Sequence, residues 1–373
     1  MKRIKGKLRI LYVVSIMPPY PGGAAVDYAG FVKCVGSDRF SERVESVTVL
    51  TEKGCSKDYA SPKIRIKDIL LNYDTAPSTS KSFFSQMANY TTILWHILFG
   101  GYDIVHIHAR YVYARYSGRI VWLALVLSRA CAVVDLRDRF YNGLGFGVYF
   151  IVCSDALKRY YSRIKGARCI PVPIDFPDEK VLKKGGENIA YFGTIAANKG
   201  VMELIEGFVH YRRNNSAFAE LHLYGANALG DKFLRAIDGK EGVRYMGVID
   251  SGEVIKKIAE YGAVVLPSVS EGMPRVCLET IHCERVIVCH RNIKAIIPCI
   301  PEDFVLNDLT PGEFARVFEK VEGVKGPVKY GYDFSAHRPE SVCSLLVKHY
   351  EEIYASGRSR RGEVAEHLIN RSN

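Results

Sequence analysis

Two series of short apolar segments, each segment followed by a helical pattern or a turn, dominate this sequence. The first series lies at residues 8–15, 44–51, 102–108, 131–138 and 148–154, and the second at 188–195, 219–225, 243–249, 263–268 and 285–290. Continuous apolar runs of this length are typical of strands buried on both faces, and their alternation with helices predicts parallel sheets. The chain is therefore expected to be α/β, with two Rossmann-like, doubly wound domains.

A segment rich in Pro, Gly and charge at residues 171–187 lies between the two series and predicts an interdomain linker. We expect one Rossmann-like domain over 1–170 and a second over 188–337. Helical spacing predicts an amphipathic helix over 338–356 that packs on the body and could return to the N-terminal domain, followed by a frayed basic tail at 357–373. Ligands bind at the carboxyl edges of strands in open α/β sheets, so two domains facing one another would form a central cleft.

The charge balance favours an anionic partner. The 373 residues include 51 Lys and Arg against 40 Asp and Glu, a formal net charge of +11, which suits nucleotide phosphate, an anionic bilayer or nucleic acid. No helix-turn-helix, zinc-finger or RNA-binding aromatic signature is present, so nucleic acid is not expected.

The most apolar segment, 119–136, is interrupted by Arg129 and is shorter than the roughly 20 residues of a spanning helix. Membrane contact would be peripheral, and the basic start at residues 1–9 would suit it or would simply be solvated.

The ten cysteines are scattered without a CxxC pair, and nothing resembles a secretory signal, so we expect a reducing cytoplasm. Some of them lie close to histidines in the sequence, namely Cys277, Cys283 and Cys289 with His282 and His290. Their spacing matches no zinc-ligand pattern, and free cysteine is among the most buried residue types. We therefore predict buried thiols and no bound metal.

Glu271 and Glu279 stand eight positions apart, just after the predicted strand at 263–268. Pro274 suits the first turn of a helix. Glu271 would then lie in the loop at the strand's carboxyl edge, and Glu279 on the helix. The helix N-terminus between them would offer N–H groups and a positive dipole end to a phosphate. A pair of solvated glutamates is the alternative interpretation.

This arrangement resembles the Glu-x7-Glu motif of retaining glycosyltransferases of the GT-B fold, in family 4 or glycosyltransferase group 1, and the resemblance covers nearly the whole chain. It implies that Glu271 lies against the transferred sugar and that Glu279 binds the ribose hydroxyls of the donor. The implied reaction moves a sugar from a nucleotide-diphosphate sugar to a hydroxyl of a saccharide or lipid-linked acceptor, without a metal. The implied setting is surface polysaccharide or glycolipid synthesis, in the cytoplasm or at the inner face of the cell membrane.

Other stretches support the same resemblance. In "YFGTIAANKG", the family's Lys-Gly turn implies that Lys199 meets the donor phosphates. Gly22 and Gly23 match the family's N-terminal glycine loop, where a backbone without Cβ can approach the donor closely. His108 ends a strand that lines the acceptor side, and Asp138 stands where relatives contact the sugar. His106 has the same parity as His108 along the strand, and a core position is an equal alternative for it.

The sequence also departs from the family pattern. Thr194 stands where many relatives carry an arginine that pairs with phosphate, and we predict that Arg275 supplies the replacement guanidinium. Arg137 stands where a histidine usually precedes the aspartate, and Glu284 stands where glycine is usual. Two alternatives therefore stay open. One is a nucleotide-sugar epimerase of the same fold, and the other is a non-catalytic nucleotide-sugar-binding protein, which Thr194 favours.

Overall fold

The computed structural model describes residues 6–20, 22–54, 57–71, 83–113, 117–139, 147–164, 166–177, 186–213 and 220–369. The chain forms two compact units. The first unit comprises Met1–Tyr20, Ala24–Pro173 and Ser335–Asn373, and the second comprises Pro21–Gly23 and Ile174–Phe334. The second unit is thus an insertion between two parts of the first.

The first unit is built on one parallel sheet. Its strands are β1 (Leu8–Val13), β2 (Val44–Glu52), β3 (Ile64–Leu70), β4 (Ile104–His108), β5 (Cys131–Leu136), β6 (Tyr149–Val152) and β7 (Arg168–Cys169), in the order β3-β2-β1-β4-β5-β6-β7. Helices α1 (Gly23–Val35), α2 (Phe83–Phe99), α3 (Ala109–Tyr113), α4 (Ser117–Leu127) and α5 (Asp155–Tyr160) connect them, with short 3-10 turns at Asp38–Phe40 and Lys57–Tyr59. The strand order reverses between β1 and β4, which is where doubly wound sheets bind ligands.

The second unit has a smaller parallel sheet. Its strands are β8 (Ile189–Phe192), β9 (Leu221–Tyr224), β10 (Val243–Gly247), β11 (Ala263–Leu266), β12 (Val286–His290) and β13 (Val305–Leu306), in the order β10-β9-β8-β11-β12-β13. The helices are α6 (Val201–Arg212), α7 (Asp231–Ile237), α8 (Val254–Ile258), α9 (Arg275–His282) and α10 (Pro311–Glu322), with 3-10 turns at Ala197–Lys199, Ile297–Cys299 and Glu302–Phe304. Here the order reverses between β8 and β11. The α/β expectation with two doubly wound sheets is confirmed.

All ten predicted strands are present, and three further strands were not predicted. The longest of these, β3, carries Arg65, Lys67 and Asp68 and forms the edge of its sheet, where side chains reach solvent. A search for buried apolar runs misses such a strand because edge strands are often charged. The other two, β7 and β13, have only two residues each.

The C-terminal helix, α11 (Pro339–Ile369), follows a 3-10 turn at Ser335–His337 and packs in the first unit. The hydroxyl groups of Tyr350 on α11 and Tyr12 on β1 lie 2.8 Å apart in the core. A disulfide joins Cys343 to Cys34 on α1, with 6.1 Å between the Cα atoms. The helix therefore closes one face of the first sheet.

Two boundaries differ from the sequence-based expectation. The helix expected over 338–356 with a frayed tail continues to Ile369, since no proline interrupts this stretch of residues that mostly favour helix. The segment 171–187, expected to be a linker, starts with residues that are packed in the protein rather than exposed. Its Val172 and Ile174 are buried, and the Val172 carbonyl accepts a hydrogen bond from His337 Nδ1 at 2.9 Å. Residues 178–185 lie outside the described residues.

Candidate functional site

Two adjacent strand ends of the second unit bring the predicted donor residues together. β8 and β11 are neighbours in the sheet, so the loops that follow Phe192 and Leu266 start side by side. The first loop runs through the Ala197–Lys199 turn to Gly200, which has a φ of +67°. A Cβ on Gly200 would lie 2.9 Å from the Pro267 carbonyl oxygen, so the two loops touch at a point that only glycine suits.

The central contact of this site is an ion pair between Lys199 and Glu271. Lys199 Nζ lies 2.6 Å from Glu271 Oε1, although the two residues are 72 positions apart. Their side chains are 25% and 17% exposed. Because water still reaches part of both side chains, the pair can separate at a small cost in free energy. Either residue can then contact a ligand instead. The structure thus brings Lys199 and Glu271 together at one strand edge.

Helix α9 carries the second predicted pair. Arg275 Nε lies 3.6 Å from Glu279 Oε1, one helical turn further on, and Glu279 is only 6% exposed. Pro274 is the N-cap residue, one position before the helix, and its side chain makes no cap hydrogen bond. The Cys277 N–H donates to the Pro274 carbonyl at 3.2 Å, and the start of the helix carries the positive end of the helix dipole, which favours an anion.

The glycine loop lies beside this helix. Gly22 has a φ of +128°, which favours glycine. The short segment 21–23 belongs to the second unit, and a Cβ on Gly23 would lie 3.3 Å from Cδ of Arg275. The structure thus brings Gly23 and Arg275 together, although the two residues are 252 positions apart in the sequence.

Two further residues of the site were missed from the sequence. The hydroxyl of Tyr191 donates to the Thr194 carbonyl at 2.8 Å, and burial followed by the nearby Glu271 charge raises the pKa of Tyr191. Ser268 is fully buried in the loop before Glu271, and its Oγ has no hydrogen-bond partner among the described residues. Tyrosine and serine at strand ends are common, so neither position carried a sequence signal.

In the first unit, the paired histidines have different surroundings. His106 is fully buried, with Nδ1 2.5 Å from the Tyr350 hydroxyl and Nε2 3.4 Å from Asp135 Oδ2, so it is a core residue. His108 is the last residue of β4 and is half-buried. Both rings contact the ring of Tyr28, at 6.4 Å and 5.7 Å between centroids, so both point to the same face of the sheet as their parity predicts. Burial lowers the pKa of His108 to about 4, so its imidazole is neutral at pH 7.

Asp138 follows the end of β5, the strand next to β4 in the sheet. Its Oδ1 accepts a hydrogen bond from the Arg139 backbone N–H at 2.7 Å, and its carbonyl accepts one from the Tyr161 hydroxyl at 2.5 Å. Asp138 is half-buried. The loop is therefore fixed around its backbone while the carboxylate stays at the strand edge.

Arg137 points to the interior rather than outward. Its Nε donates to Asp135 Oδ2 at 2.8 Å, its Nη1 lies 3.6 Å from Asp27 Oδ2, and its guanidinium lies 4.7 Å from the ring centre of Phe31. Burial alone would raise the pKa of Asp135, but Arg137 and His106 outweigh it and hold that pKa at about 2. The departure from the family pattern at Arg137 is thus part of a buried ionic contact.

The cysteines of segment 277–290 lie in the interior, as predicted for buried thiols. Cys277, Cys283 and Cys289 are buried, and burial raises the pKa of Cys277 well above its usual value. Within the described ranges, the side chains form no group of three or more His, Cys, Asp or Glu that could hold a metal ion. Glu284 takes a φ of +54°, which explains why glycine is usual at this position.

The two doubly wound parallel sheets, of seven and six strands, have the architecture of the GT-B fold. Residues 186–320 match the family model of glycosyl transferases group 1. The chain therefore contains a glycosyltransferase group 1 domain, which lies in the second unit.

Solved structures share the fold over nearly the whole chain. A glycosyltransferase from Rickettsia africae has a TM-score of 0.62 at 16% identity and covers 94% of this chain and 98% of its own. The pneumococcal O-GlcNAc transferase GtfA, solved with UDP and GlcNAc, has a TM-score of 0.66 at 10% identity, with 93% and 99% covered. S. aureus TarM, solved with UDP, has a TM-score of 0.60 at 10% identity, with 95% and 99% covered. At these identities the likeness concerns the fold.

No curated protein sequence matches this chain. Among the described residues, no helix is long and apolar enough to cross a membrane. The basic start is described only from residue 6 onward. In that part Lys7 Nζ lies 3.7 Å from Glu42 Oε2, and Arg9 Nη2 donates to the Gly100 carbonyl at 3.2 Å. The earlier residues of the predicted membrane-binding start, 1–5, lie outside the described residues.

Proposed function

We propose that this protein transfers a sugar from a nucleotide-diphosphate sugar to a hydroxyl of a saccharide or lipid-linked acceptor, with retention of anomeric configuration. The observation that carries the proposal is the Lys199–Glu271 contact of 2.6 Å in the loops before the start of α9. A cation, a carboxylate and the positive end of a helix dipole at one strand edge suit a sugar joined to a diphosphate.

The donor is assigned to the second unit. Lys199 and Arg275 bind the diphosphate together with the first-turn N–H groups of α9, and Gly22 and Gly23 allow its close approach. Glu271 contacts the transferred sugar, and Glu279 accepts from the ribose hydroxyls. In the unliganded protein each cation lies near a glutamate, 2.6 Å for Lys199 and 3.6 Å for Arg275, so donor binding replaces these contacts with contacts to phosphate and sugar.

The proposed reaction breaks the bond between the anomeric carbon and the phosphate oxygen. The acceptor hydroxyl oxygen forms the new bond on the same face, and its proton passes to an oxygen of the departing diphosphate. Charge that develops on the leaving group is stabilised by Lys199, Arg275 and the helix N–H groups, which are oriented before reaction. His108, a neutral imidazole at pH 7, and Asp138 are assigned to the acceptor side of the first unit.

Thermal unfolding with UDP, GDP and ADP and their sugar conjugates tests the donor assignment. UDP comes first because two of the solved structures of this fold contain it. A ligand at about 100 times its dissociation constant stabilises the fold by about 2.7 kcal/mol. We expect one nucleotide family to stabilise wild type and to stabilise Glu279→Ala less. No shift with any of them would count against the transferase.

Arg275 is tested as the replacement for the arginine absent at Thr194. Arg275→Ala should weaken donor binding and lower turnover, because one of two cations at the diphosphate is removed. Arg235→Ala is the matched control, since Arg235 lies on α7 with an exposed side chain. Equal donor affinity and turnover in wild type and Arg275→Ala would refute this role.

A non-catalytic nucleotide-sugar-binding protein is the second candidate, and Thr194 is the observation that favours it. It predicts nucleotide stabilisation without nucleotide release for any acceptor, whereas a transferase releases nucleotide in an acceptor-dependent way. An epimerase would convert the donor sugar with no acceptor present. The proposed setting remains surface polysaccharide or glycolipid synthesis on the cytoplasmic side, and an acceptor screen that includes lipid-linked saccharides tests it.

A further inference from the structure

Two neighbouring helices of the first unit carry a concentration of exposed apolar side chains. α2 and α4 pack against one another, and together they hold seven of the thirteen exposed large hydrophobic residues among the described side chains. The seven are Met87, Trp95, Leu98 and Phe99 on α2 and Ile120, Leu123 and Leu127 on α4, and they define the α2–α4 face. The most exposed are Leu127, Phe99 and Trp95, at 69%, 68% and 62%.

The spacing of these residues puts them on the outward sides of the helices. On α4, positions 120, 123 and 127 follow the three- and four-residue steps of one helical stripe. On α2, Ile93 and Ile97 are buried against the protein while Trp95 and Phe99 are exposed, with 4.9 Å between their ring centroids. Both helices are thus apolar on the inward and the outward side. Exposed apolar side chains concentrated on two packed helices of a folded protein mark an interaction site.

The sequence of the two helices and their neighbouring residues carries mostly positive charge. Neither helix contains Asp or Glu, and residues 75–134 contain a single acidic residue, Asp103. Asp103 is only 5% exposed, and its carboxylate accepts from the Arg9 backbone N–H at 2.9 Å and from the Tyr354 hydroxyl at 2.7 Å. The same stretch contains five basic residues, Lys81, Arg110, Arg115, Arg119 and Arg129. Arg119 and Arg129 flank the apolar stripe of α4, and both residues are exposed.

We propose that the α2–α4 face seats this protein on the surface of an anionic phospholipid bilayer. Apolar side chains with a tryptophan suit the boundary between headgroups and acyl chains, and flanking arginines suit anionic headgroups. A second copy of the chain fits less well, because a two-fold contact through this face would bring the basic residues of two copies together, and neither helix supplies a carboxylate.

The consequence for catalysis rests on the proposed function. The first unit is the one assigned to the acceptor, so its attachment to a bilayer would present it to a lipid-linked acceptor. Bilayer binding itself needs no nucleotide sugar. It can therefore fail while donor binding succeeds, and the two proposals can be separated.

The two tryptophans of the chain give a direct measurement, because Trp95 lies on α2 and Trp122 on α4. The full-length protein is mixed with vesicles of phosphatidylcholine alone or with phosphatidylglycerol in equal parts, and tryptophan emission and co-sedimentation are followed. We expect a blue shift and co-sedimentation with the anionic vesicles, both weakened by added NaCl. Wild-type protein that leaves the anionic vesicles unbound overturns the proposal.

Exposed-site variants then locate the surface. Phe99→Ser with Leu127→Ser should weaken vesicle binding by at least about tenfold, and Arg119→Gln by about fivefold. The matched control is Leu234→Ser with Met246→Ser, which replaces two residues that are 46% and 44% exposed in the second unit. Far-UV circular dichroism checks that each variant is folded.

Three outcomes decide the result. Loss of binding in the α2–α4 variants with normal binding in the control supports the proposed surface. Equal binding by wild type and the α2–α4 variants overturns it. A blue shift that grows with protein concentration in the absence of vesicles, and that the same variants abolish, also overturns it, because a second copy of the chain would then cover the face.

Discussion

The ionic groups of the two units differ in how far they are withdrawn from water. In the first unit, Asp135 is fully buried and the Arg137 side chain is 9% exposed. In the second unit, Lys199 and Glu271 form a slightly shorter contact, 2.6 Å against 2.8 Å, with side chains 25% and 17% exposed. A pair of the first kind stabilises only as long as it stays complete, whereas a pair of the second kind can open at small cost.

The buried pair is one end of a polar network through the core of the first unit. In order, the network contains Tyr12, Tyr350, His106, Asp135, Arg137 and Asp27. Burial lowers the pKa of His106, so its ring is neutral. A neutral His106 can donate from Nε2 to Asp135 and accept at Nδ1 from Tyr350, whose oxygen accepts from Tyr12. The hydroxyl and imidazole donors of the network then each have an acceptor, and the network connects α11 to the sheet.

Removal of one member of this network should give the largest effect. Asp135→Ala leaves the Arg137 guanidinium buried without its main partner, and we expect a loss of about 3 to 5 kcal/mol in the free energy of unfolding. Urea unfolding followed by tryptophan fluorescence measures it, because both tryptophans lie in the first unit.

The control for this change is Glu351→Ala in the same unit. Glu351 pairs with Arg43 at 3.7 Å, but the two side chains are 42% and 51% exposed. Its loss should change stability by less than about 0.5 kcal/mol. If Asp135→Ala cost no more than this control, the buried network would contribute nothing and the contrast between the units would disappear.

Acid should weaken the first unit by a smaller amount. Burial lowers the pKa of both His108 and His349 from 6.5 to about 4. Between these values the unfolded chain binds a proton that the folded chain does not, so stability falls as the pH drops. Each histidine should cost about 1 kcal/mol between about pH 6.5 and pH 5.5. Urea midpoints from tryptophan fluorescence at the two pH values measure the change.

His349 offers a way to assign this effect. Its Nε2 is buried with no hydrogen-bond partner among the described residues, near Arg168, Glu352 and His106. His349→Leu should therefore reduce the dependence of stability on pH, while His210→Leu, at an exposed position on α6, should leave it unchanged. The same pH slope in wild type and His349→Leu would contradict the assignment.

Much of the fold follows from local sequence signals. The ten predicted strands were continuous apolar runs, which require burial on both faces. β3 was missed because its charged residues reach solvent at the sheet edge, and β7 and β13 because two residues form no pattern. The Cys34–Cys343 disulfide, with a separation of 309 residues, could not be predicted because sequence does not say which cysteines meet.

Residues of the candidate site could be predicted from the sequence where they belong to a motif, and could not be predicted elsewhere. Glu271, Glu279 and Lys199 stand in recognisable contexts after predicted strands. Arg137 stood in such a context too, but its side chain turns inward to Asp135 and Asp27. Spacing along a strand predicts the sheet face on which a residue lies, but it does not predict which groups a long side chain contacts. For this reason no sequence signal indicated that Tyr191 lies near Glu271.

The smallest effect on stability is expected at the second unit's open pair. Lys199→Ala, Glu271→Ala and the double variant should give a coupling energy below about 1 kcal/mol in the free energy of unfolding, because both side chains reach water. Lys257→Ala is the control, since its contact with Glu260 at 2.8 Å is also exposed and lies in the same unit. Lys199→Ala should lose most of the stabilisation by nucleotide, while Lys257→Ala keeps it. A coupling energy of several kcal/mol between Lys199 and Glu271, with an unchanged nucleotide response, would make this pair structural like Asp135–Arg137.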